Sequence, residues 1–262
     1  MKFIVEGYPA YAYTGGRPFD PTLPAIVFIH GAALDHSVWQ WQSRYFAHHG
    51  HGVLAVDLPG HGRSPGSPRA TIEGYADWIA ALLDAPGIAA AHVVGHSMGA
   101  LVALQVALKH RARVRKLALL AIAAPMPVGE AFLAAAKDDS PTAFQMETVW
   151  GHARHAMLAT SPVPGTTLVS ASLRLNTRAK PGVQANDLAA CNAYRADADA
   201  LAALDVPALV VGGRRDQMTQ FKAGQQVAAR IRDAKFVALD TGHSVMSEAP
   251  RETLAALRDF LS

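Results

Sequence analysis

Five consecutive apolar residues, Ala25-Ile26-Val27-Phe28-Ile29, run without a polar break into His30-Gly31. A strand with one wet face alternates apolar and polar positions. A strand that is apolar throughout must be covered on both faces, which places it inside a mostly parallel sheet flanked by helices. Few architectures satisfy that requirement, and the rest of the chain fits it. Short apolar runs alternate with stretches of helical periodicity. Strands are predicted at Phe3–Val5, Tyr11–Thr14, Ala25–His30, Val53–Asp57, His92–Gly95, Leu117–Ala121, Ala208–Val211 and Phe236–Leu239. Helices are predicted at Ser37–His48, Thr71–Leu83, Met98–Lys109, Phe221–Ile231 and Arg251–Leu261, with Pro250 suited to the first turn of the last.

The alternation stops between Pro125 and Leu204. Helical patterns occur there at Gly129–Lys137 and Ala143–Ala159, followed by the breakers Pro162, Pro164, Gly165, Pro181 and Gly182. The expected organisation is a sheet domain of residues 1–124 and 205–262, interrupted by a helical insertion at 125–204.

Composition narrows the function classes. Lys and Arg exceed Asp and Glu by only 24 to 21, a net charge of +3, too little for a nucleic-acid binder held by charge. The single Cys191 can form neither an internal disulfide nor a thiolate cluster, and reads as a small buried apolar residue. Glu6 interrupts the start of the chain where a secretion signal needs its apolar run, and no stretch of about 18 apolar residues suggests a membrane span. A soluble, cytoplasmic protein acting on a small molecule is expected.

The chemistry centres on Gly95-His96-Ser97-Met98-Gly99, between a predicted strand and a predicted helix. A sharp strand-to-helix turn holds the serine in a strained conformation, and glycines two before and two after relieve the crowding. The turn lifts the hydroxyl clear of the sheet and places the Met98 N–H at a helix N-terminus, which favours negative charge. In this context the pattern resembles the serine-nucleophile, esterase-like branch of the α/β-hydrolase superfamily. Three further segments, in the order of that family, extend the resemblance over nearly the whole chain outside the insertion. His30-Gly31-Ala32-Ala33 resembles the turn that supplies an oxyanion-hole amide, here Ala32, with His30 shaping the turn. Asp57-Leu58-Pro59-Gly60-His61-Gly62-Arg63-Ser64 resembles the family's structural loop after the fourth strand, which makes Asp57 structural. Asp216, past the seventh strand, and His243, past the last, occupy the acid and base positions in the order Ser, Asp, His. The alternative acid position after the sixth strand reads Ala123-Ala124-Pro125 and has no carboxylate, which strengthens Asp216. Gln220 stands where many relatives have proline. Asp240 reads as a strand-end carboxylate, and Glu248 matches a family position with a supporting role.

The resemblance implies an eight-stranded, mostly parallel α/β-hydrolase fold whose insertion forms a helical cap. It also implies Ser97 as nucleophile, His243 as base, Asp216 as its orienting acid, and the Ala32 and Met98 amides as the oxyanion hole. No metal or organic cofactor is called for. The expected activity is hydrolysis of a small carboxylic ester through an acyl-enzyme on Ser97. The same fold and triad also serve carbon–carbon cleavage of a diketone, lactone opening, acyl transfer and cyanohydrin cleavage. A ligand-binding receptor that retains the triad with slow turnover is a further alternative. The sequence does not specify an oligomeric state.

Other features carry less. His48, His49, His51, His152 and His155 lack partners completing a metal set and read as surface histidines. The basic run Lys109–Lys116 follows a helix and reads as a solvated face. Of the methionines, Met98, Met218 and Met246 follow Ser97, Asp216 and His243 closely, and Met126, Met146 and Met157 lie in the insertion. Met126, Met146, Trp150, Met157, Met218 and Met246 are therefore the candidates for lining an adaptable pocket. An apolar cap underside predicts a preference for neutral, apolar acyl groups of short to medium length.

Overall fold

A computed structural model describes residues 1–158 and 167–262 of the chain. The strands are β1 (Lys2–Val5), β2 (Tyr8–Tyr13), β3 (Ala25–Ile29), β4 (Gly52–Val56), β5 (Ala91–His96), β6 (Val114–Leu120), β7 (Ala208–Gly213) and β8 (Lys235–Leu239). They form one sheet in the order β1-β2-β4-β3-β5-β6-β7-β8. Pairing is antiparallel from β1 to β2 and from β2 to β4, and parallel everywhere else. The helices are α1 (Gln40–Ala47), α2 (Ile72–Asp84), α3 (Met98–Lys109), α4 (Glu130–Lys137), α5 (Pro141–Trp150), α6 (Arg154–Leu158), α7 (Leu168–Asn176), α8 (Val183–Ala193), α9 (Ala198–Ala202), α10 (Phe221–Arg230), α11 (Val245–Glu248) and α12 (Pro250–Leu261).

Every residue of β3, β4, β5 and β7 is buried, as continuous apolar runs require. Alternate residues feed two cores. Val27, Ile29, Leu54, Val56 and Val93 pack with α2 and α3 on one face. Ile26, Phe28, Val53, Ala55 and Val94 pack with Phe46 of α1 and Leu257 and Phe260 of α12 on the other. The helices start where their chemistry dictates. Thr71 caps α2 by accepting from Gly74 N at 3.0 Å, and Pro250 opens α12.

Two predicted helices are broken. The segment Ser37–His48 divides into a 3-10 turn, His36–Trp39, and α1. Asp35 accepts from both the backbone and the hydroxyl of Ser37 and fixes that turn. The helix predicted over Ala143–Ala159 ends at Trp150, and α6 begins at Arg154; residue 159, like Pro162, Pro164 and Gly165, lies outside the described residues. The break at Gly151 is a docking point. Ser244 N donates to the Gly151 carbonyl and Ala153 N to the Glu248 carboxylate. Partners about 95 residues away along the chain therefore override local periodicity. Between β6 and β7 the described residues form helices α4 to α9 and no strand. Among the described residues no helix is long and apolar enough to cross a membrane.

Candidate active site

β5 delivers Ser97 to the carboxyl edge of the sheet, where open α/β sheets bind ligands. Its backbone lies at φ +54° and ψ −120°, a conformation that an L-residue holds only when its surroundings enforce it. The two glycines of the motif are the enforcement. A Cβ on Gly95 would sit 2.0 Å from the Gly99 carbonyl oxygen, and one on Gly99 would sit 2.3 Å from that of Ile29. Both obstacles are backbone, so neither position accepts a side chain without moving the turn. Gly31 is confined less severely: its Cβ would lie 3.3 Å from Ser97 Cβ, so the His30–Ala33 turn rests against the serine.

β7 and β8 bring the acid and the imidazole together. At the end of β7, Gly213 passes so close to the Thr241–Gly242 backbone that a Cβ would meet the Gly242 carbonyl oxygen at 2.1 Å. Asp216 and His243, 27 residues apart, then meet at 2.8 Å from Oδ2 to Nδ1. The carboxylate is held on every side. Its Oδ1 accepts from the amides of Met218 and Thr219, and its Oδ2 also accepts from the Thr219 hydroxyl at 2.7 Å. Burial alone would raise the Asp216 carboxyl, but the facing His243 and these hydrogen bonds outweigh it and hold Asp216 below the ordinary carboxylate value. Burial alone would likewise lower His243. The Asp216 charge and hydrogen bond reverse that and raise it, with smaller help from Glu147 and Glu248. With Nδ1 protonated toward Asp216, Nε2 carries the lone pair. It is buried and has no hydrogen-bond partner among the described residues.

Ser97 and His243 line one cavity of about 190 Å³, which Ala32 also lines. Among the described residues the amides of Ala32 and Met98 donate to no protein acceptor, and Met98 opens α3 at its N-terminus. A serine hydroxyl that shares a cavity with a free imidazole nitrogen can attack a carbonyl, and N–H groups without acceptors can hold the resulting oxyanion.

The surrounding residues divide into support and lining. His30 Nδ1 donates to the Gly31 carbonyl, while its Nε2 accepts from Leu58 N. Burial pushes His30 down to about 4, so it is neutral. Asp57 lies away from the cavity, accepting from the His36 and Arg63 amides and from the His36 ring. Glu248 accepts from Gly242 N and Ala153 N. Asp240 pairs with Arg215 at the surface. His96 Nε2 donates to the His243 carbonyl at 3.0 Å, and burial pushes His96 down to about 3.

Of the pocket candidates, Met126, Trp150 and Met218 line the cavity, whereas Met146, Met157 and Met246 do not. Met246, buried in α11, belongs to the core that holds Ile26 and Leu257. Met146 packs against the larger core, and Met157 is half-buried in α6. His152 is not a surface histidine. It is buried and its Nδ1 donates to the Thr148 carbonyl at 2.9 Å.

Sequence reasoning missed several residues. Cys191 and Leu188 line the cavity from α8, and Asn176 from α7. Glu147 lines it from α5, on the same helical face as Ala143 and Trp150, so an acid on an inward-facing stripe was the available signal. A second buried pair, His61–Asp187, ties α8 to the sheet domain. Asp187 accepts from His61 Nε2 at 2.7 Å, Tyr75 Oη at 2.8 Å and Ala33 N at 3.0 Å. Residues 126 positions apart offer no local signal for such a pair.

A family model described as the alpha/beta hydrolase fold matches residues 24–250. The pimeloyl-[acyl-carrier protein] methyl ester esterase of Neisseria meningitidis serogroup B is 33% identical over 216 residues, spanning 80% of this chain and 82% of that protein. The 3-oxoadipate enol-lactonase 1 of Acinetobacter baylyi is 25% identical over 240 residues, spanning 91% of this chain and 88% of that protein. Among solved structures, the enol-lactonase of Burkholderia xenovorans LB400 superposes with a TM-score of 0.87 at 23% identity, covering 100% of this chain and 99% of that one.

Proposed function

We propose that this chain, which belongs to the α/β hydrolase fold family, hydrolyses small neutral carboxylic esters through an acyl-enzyme on Ser97. One observation carries the proposal. A strained serine at φ +54° opens on the same cavity as an imidazole whose Nδ1 is bound to a carboxylate and whose Nε2 is free. In this mechanism His243 Nε2 takes the Ser97 proton as the hydroxyl attacks the ester carbonyl. Asp216 fixes the tautomer and stabilises the imidazolium without accepting the proton. The Ala32 and Met98 amides hold the oxyanion, each contributing about 3–4 kcal/mol to the transition state. His243 returns its proton to the departing alkoxide, then activates the water that releases the acid.

Residues 125–204 act as the cap and residues 1–124 and 205–262 as the catalytic core. The support is that α4, α5, α7 and α8 contribute Phe132, Trp150, Asn176 and Leu188 to the cavity on which Ser97 opens. A volume of about 190 Å³ lies below the roughly 300–1,000 Å³ of common ligand pockets, which favours short chains. No Lys or Arg is among the described lining residues, which favours neutral substrates over carboxylates. Lactone opening is the second reading: a lactone is an internal ester, and the enol-lactonase resemblance spans most of the chain. A panel of acetate to octanoate esters, lactones and vinylogous diketones tests the proposal. Neutral esters are expected to turn over fastest, with kcat/KM rising from acetate toward butyrate or hexanoate and then falling. Turnover confined to diketones, or to esters with charged acyl groups, would overturn it.

A further inference from the structure

The cavity carries a polar feature that the ester chemistry does not use. Glu147 of α5 and Asn176 of α7 both line it, and neither contacts Asp216, the oxyanion amides or Ser97 by any hydrogen bond. Asn176 is 1% exposed. Its amide nitrogen donates to Thr148 Oγ1 at 3.3 Å. The Thr148 hydroxyl spends its only proton on the Phe144 carbonyl at 2.7 Å, so toward Asn176 it can only accept. That chain of bonds fixes which end of the Asn176 amide is which. The carbonyl end, Oδ1, is left buried with no donor among the described residues.

Glu147 is the second polar group of the lining. One carboxylate oxygen accepts from the Gln184 amide at 2.5 Å. The Gln184 oxygen is itself buried without a donor. No lysine or arginine among the described lining residues offers compensation, and burial pushes the Glu147 carboxyl up to about 7. Asn176 Oδ1 is thus a buried acceptor left without a donor on a residue of the cavity wall, and such groups are costly and seldom kept without a use.

We propose that Glu147 and Asn176 form a subsite for a neutral hydrogen-bond donor on the substrate, a hydroxyl group carried by its acyl or alkoxy chain. The inference rests on the ester reading for its substrate but on the acceptor geometry for its chemistry. An alkyl group would leave the acceptors unmet, and a carboxylate would add another. An ammonium would supply donors, but Glu147 is close enough to His243 to raise its basicity. A cation held there would oppose the imidazolium that forms as Ser97 attacks. A hydroxyl can donate its one proton to Asn176 Oδ1 without that repulsion. It can also accept in turn from the Glu147 carboxyl when that group is protonated.

Binding to Ser97→Ala protein tests the subsite whatever the chemistry of turnover. Calorimetry compares methyl 6-hydroxyhexanoate with methyl heptanoate, and 4-hydroxybutyl acetate with pentyl acetate; in each pair a hydroxyl replaces a methyl. Methyl 6-aminohexanoate supplies the cationic arm. In at least one pair the hydroxyl compound is expected to bind about tenfold more tightly, a difference of about 1.4 kcal/mol. Adding Asn176→Leu is expected to bring that advantage within about twofold. Glu147→Gln, similar in shape and still able to bond Gln184, is expected to diminish it, and serves if the leucine variant does not fold. Equal binding within both pairs overturns the inference, as does an ammonium that binds more tightly than the hydroxyl. An advantage that survives in the folded variants overturns it too. Turnover of methyl heptanoate and pentyl acetate by the unmodified protein tests the ester reading separately.

Discussion

Replacing Asp187 by Asn tests how α8 is held against the His30–Ala33 turn. Asp187 is wholly buried and takes four donors on two oxygens. Oδ2 accepts from His61 and Ala33 N, and Oδ1 accepts from Tyr75 and from Asn186 at 3.2 Å. An asparagine keeps one acceptor oxygen and turns an NH2 toward the remaining donors. Tyr75 can rotate its hydroxyl to accept, but one donor stays unmet and the ionic attraction to His61 is gone. Breaking one side of a buried pair costs about 3–5 kcal/mol. The retained oxygen and the neutralisation of His61 place this variant near about 3 kcal/mol at pH 5.5. That is a large share of the roughly 5–15 kcal/mol stability of a typical domain. The pH dependence has a defined sign. Burial opposes the charge on His61, but Asp187 outweighs it and raises His61 above 6.5. Burial would raise Asp187, and His61 with the other hydrogen bonds lowers it below 3.8. The His61 contribution is complete below pH 6.5 and lost as pH rises through its folded value. The Asp187 contribution is complete above pH 3.8 and lost as pH falls through its folded value. The pair is therefore strongest between those limits. Urea unfolding of both proteins at pH 5.5 and at pH 9 measures the difference. It is expected to be about 3 kcal/mol at pH 5.5 and smaller at pH 9. A difference below about 1 kcal/mol at pH 5.5, or one that grows with pH, would refute the reasoning.

Three further outcomes follow from the site. Asp216→Asn is expected to lower kcat by about 10⁴-fold with the unfolding midpoint little changed, because the tautomer is lost while the Met218 and Thr219 amides keep an acceptor; a loss of less than tenfold in steady-state assays would move the acid elsewhere. Because the base must be neutral and His243 is raised, kcat/KM is expected to rise with pH through an inflection above 6.5, and Glu147→Gln is expected to move that inflection down; a flat profile between pH 5 and 9 would remove histidine as the base. Trp150→Ala is expected to shift the preferred acyl length upward, each added methylene gaining about 0.8 kcal/mol or nearly fourfold in kcat/KM, while Met146→Ala leaves it unchanged because Met146 is not in the lining; the opposite response in an ester series would reverse the assignment.

The nucleophile turn was legible because both of its constraints fall on motif glycines. Gly95 is pressed against the Gly99 carbonyl within five residues and Gly99 against the Ile29 carbonyl of β3, and the composition of the turn records both contacts. The interior strands were legible for a similar reason: β3, covered on both faces, has no position where a polar residue could sit. Asp216 and His243 were expected together from the family resemblance, and the parallel pairing of β7 and β8 brings the loops that carry them to the same sheet edge. What sequence proximity could not give was facing. Met246 lies three residues from His243 yet belongs to the core with Ile26 and Leu257. Met146 and Glu147 are neighbours in α5, and only Glu147 reaches the cavity. The helix break at Gly151 and the buried state of His152 depend on the loop that carries His243, far along the chain. Glu147 and Asn176 acquire their character from the packing of α5 against α7, which no single helical pattern contains.

The proposed mechanism turns on a covalent bond between Ser97 Oγ and the substrate acyl group. Brief exposure to 4-nitrophenyl butyrate, acid quench and intact-mass measurement detects that bond, and peptide mapping locates it. One butyryl group per chain on Ser97 is expected, accumulating further in His243→Ala protein if deacylation slows more than acylation, and absent from folded Ser97→Ala. Butyryl transfer to another residue that matches the turnover rate, or undiminished hydrolysis by Ser97→Ala, would contradict the account.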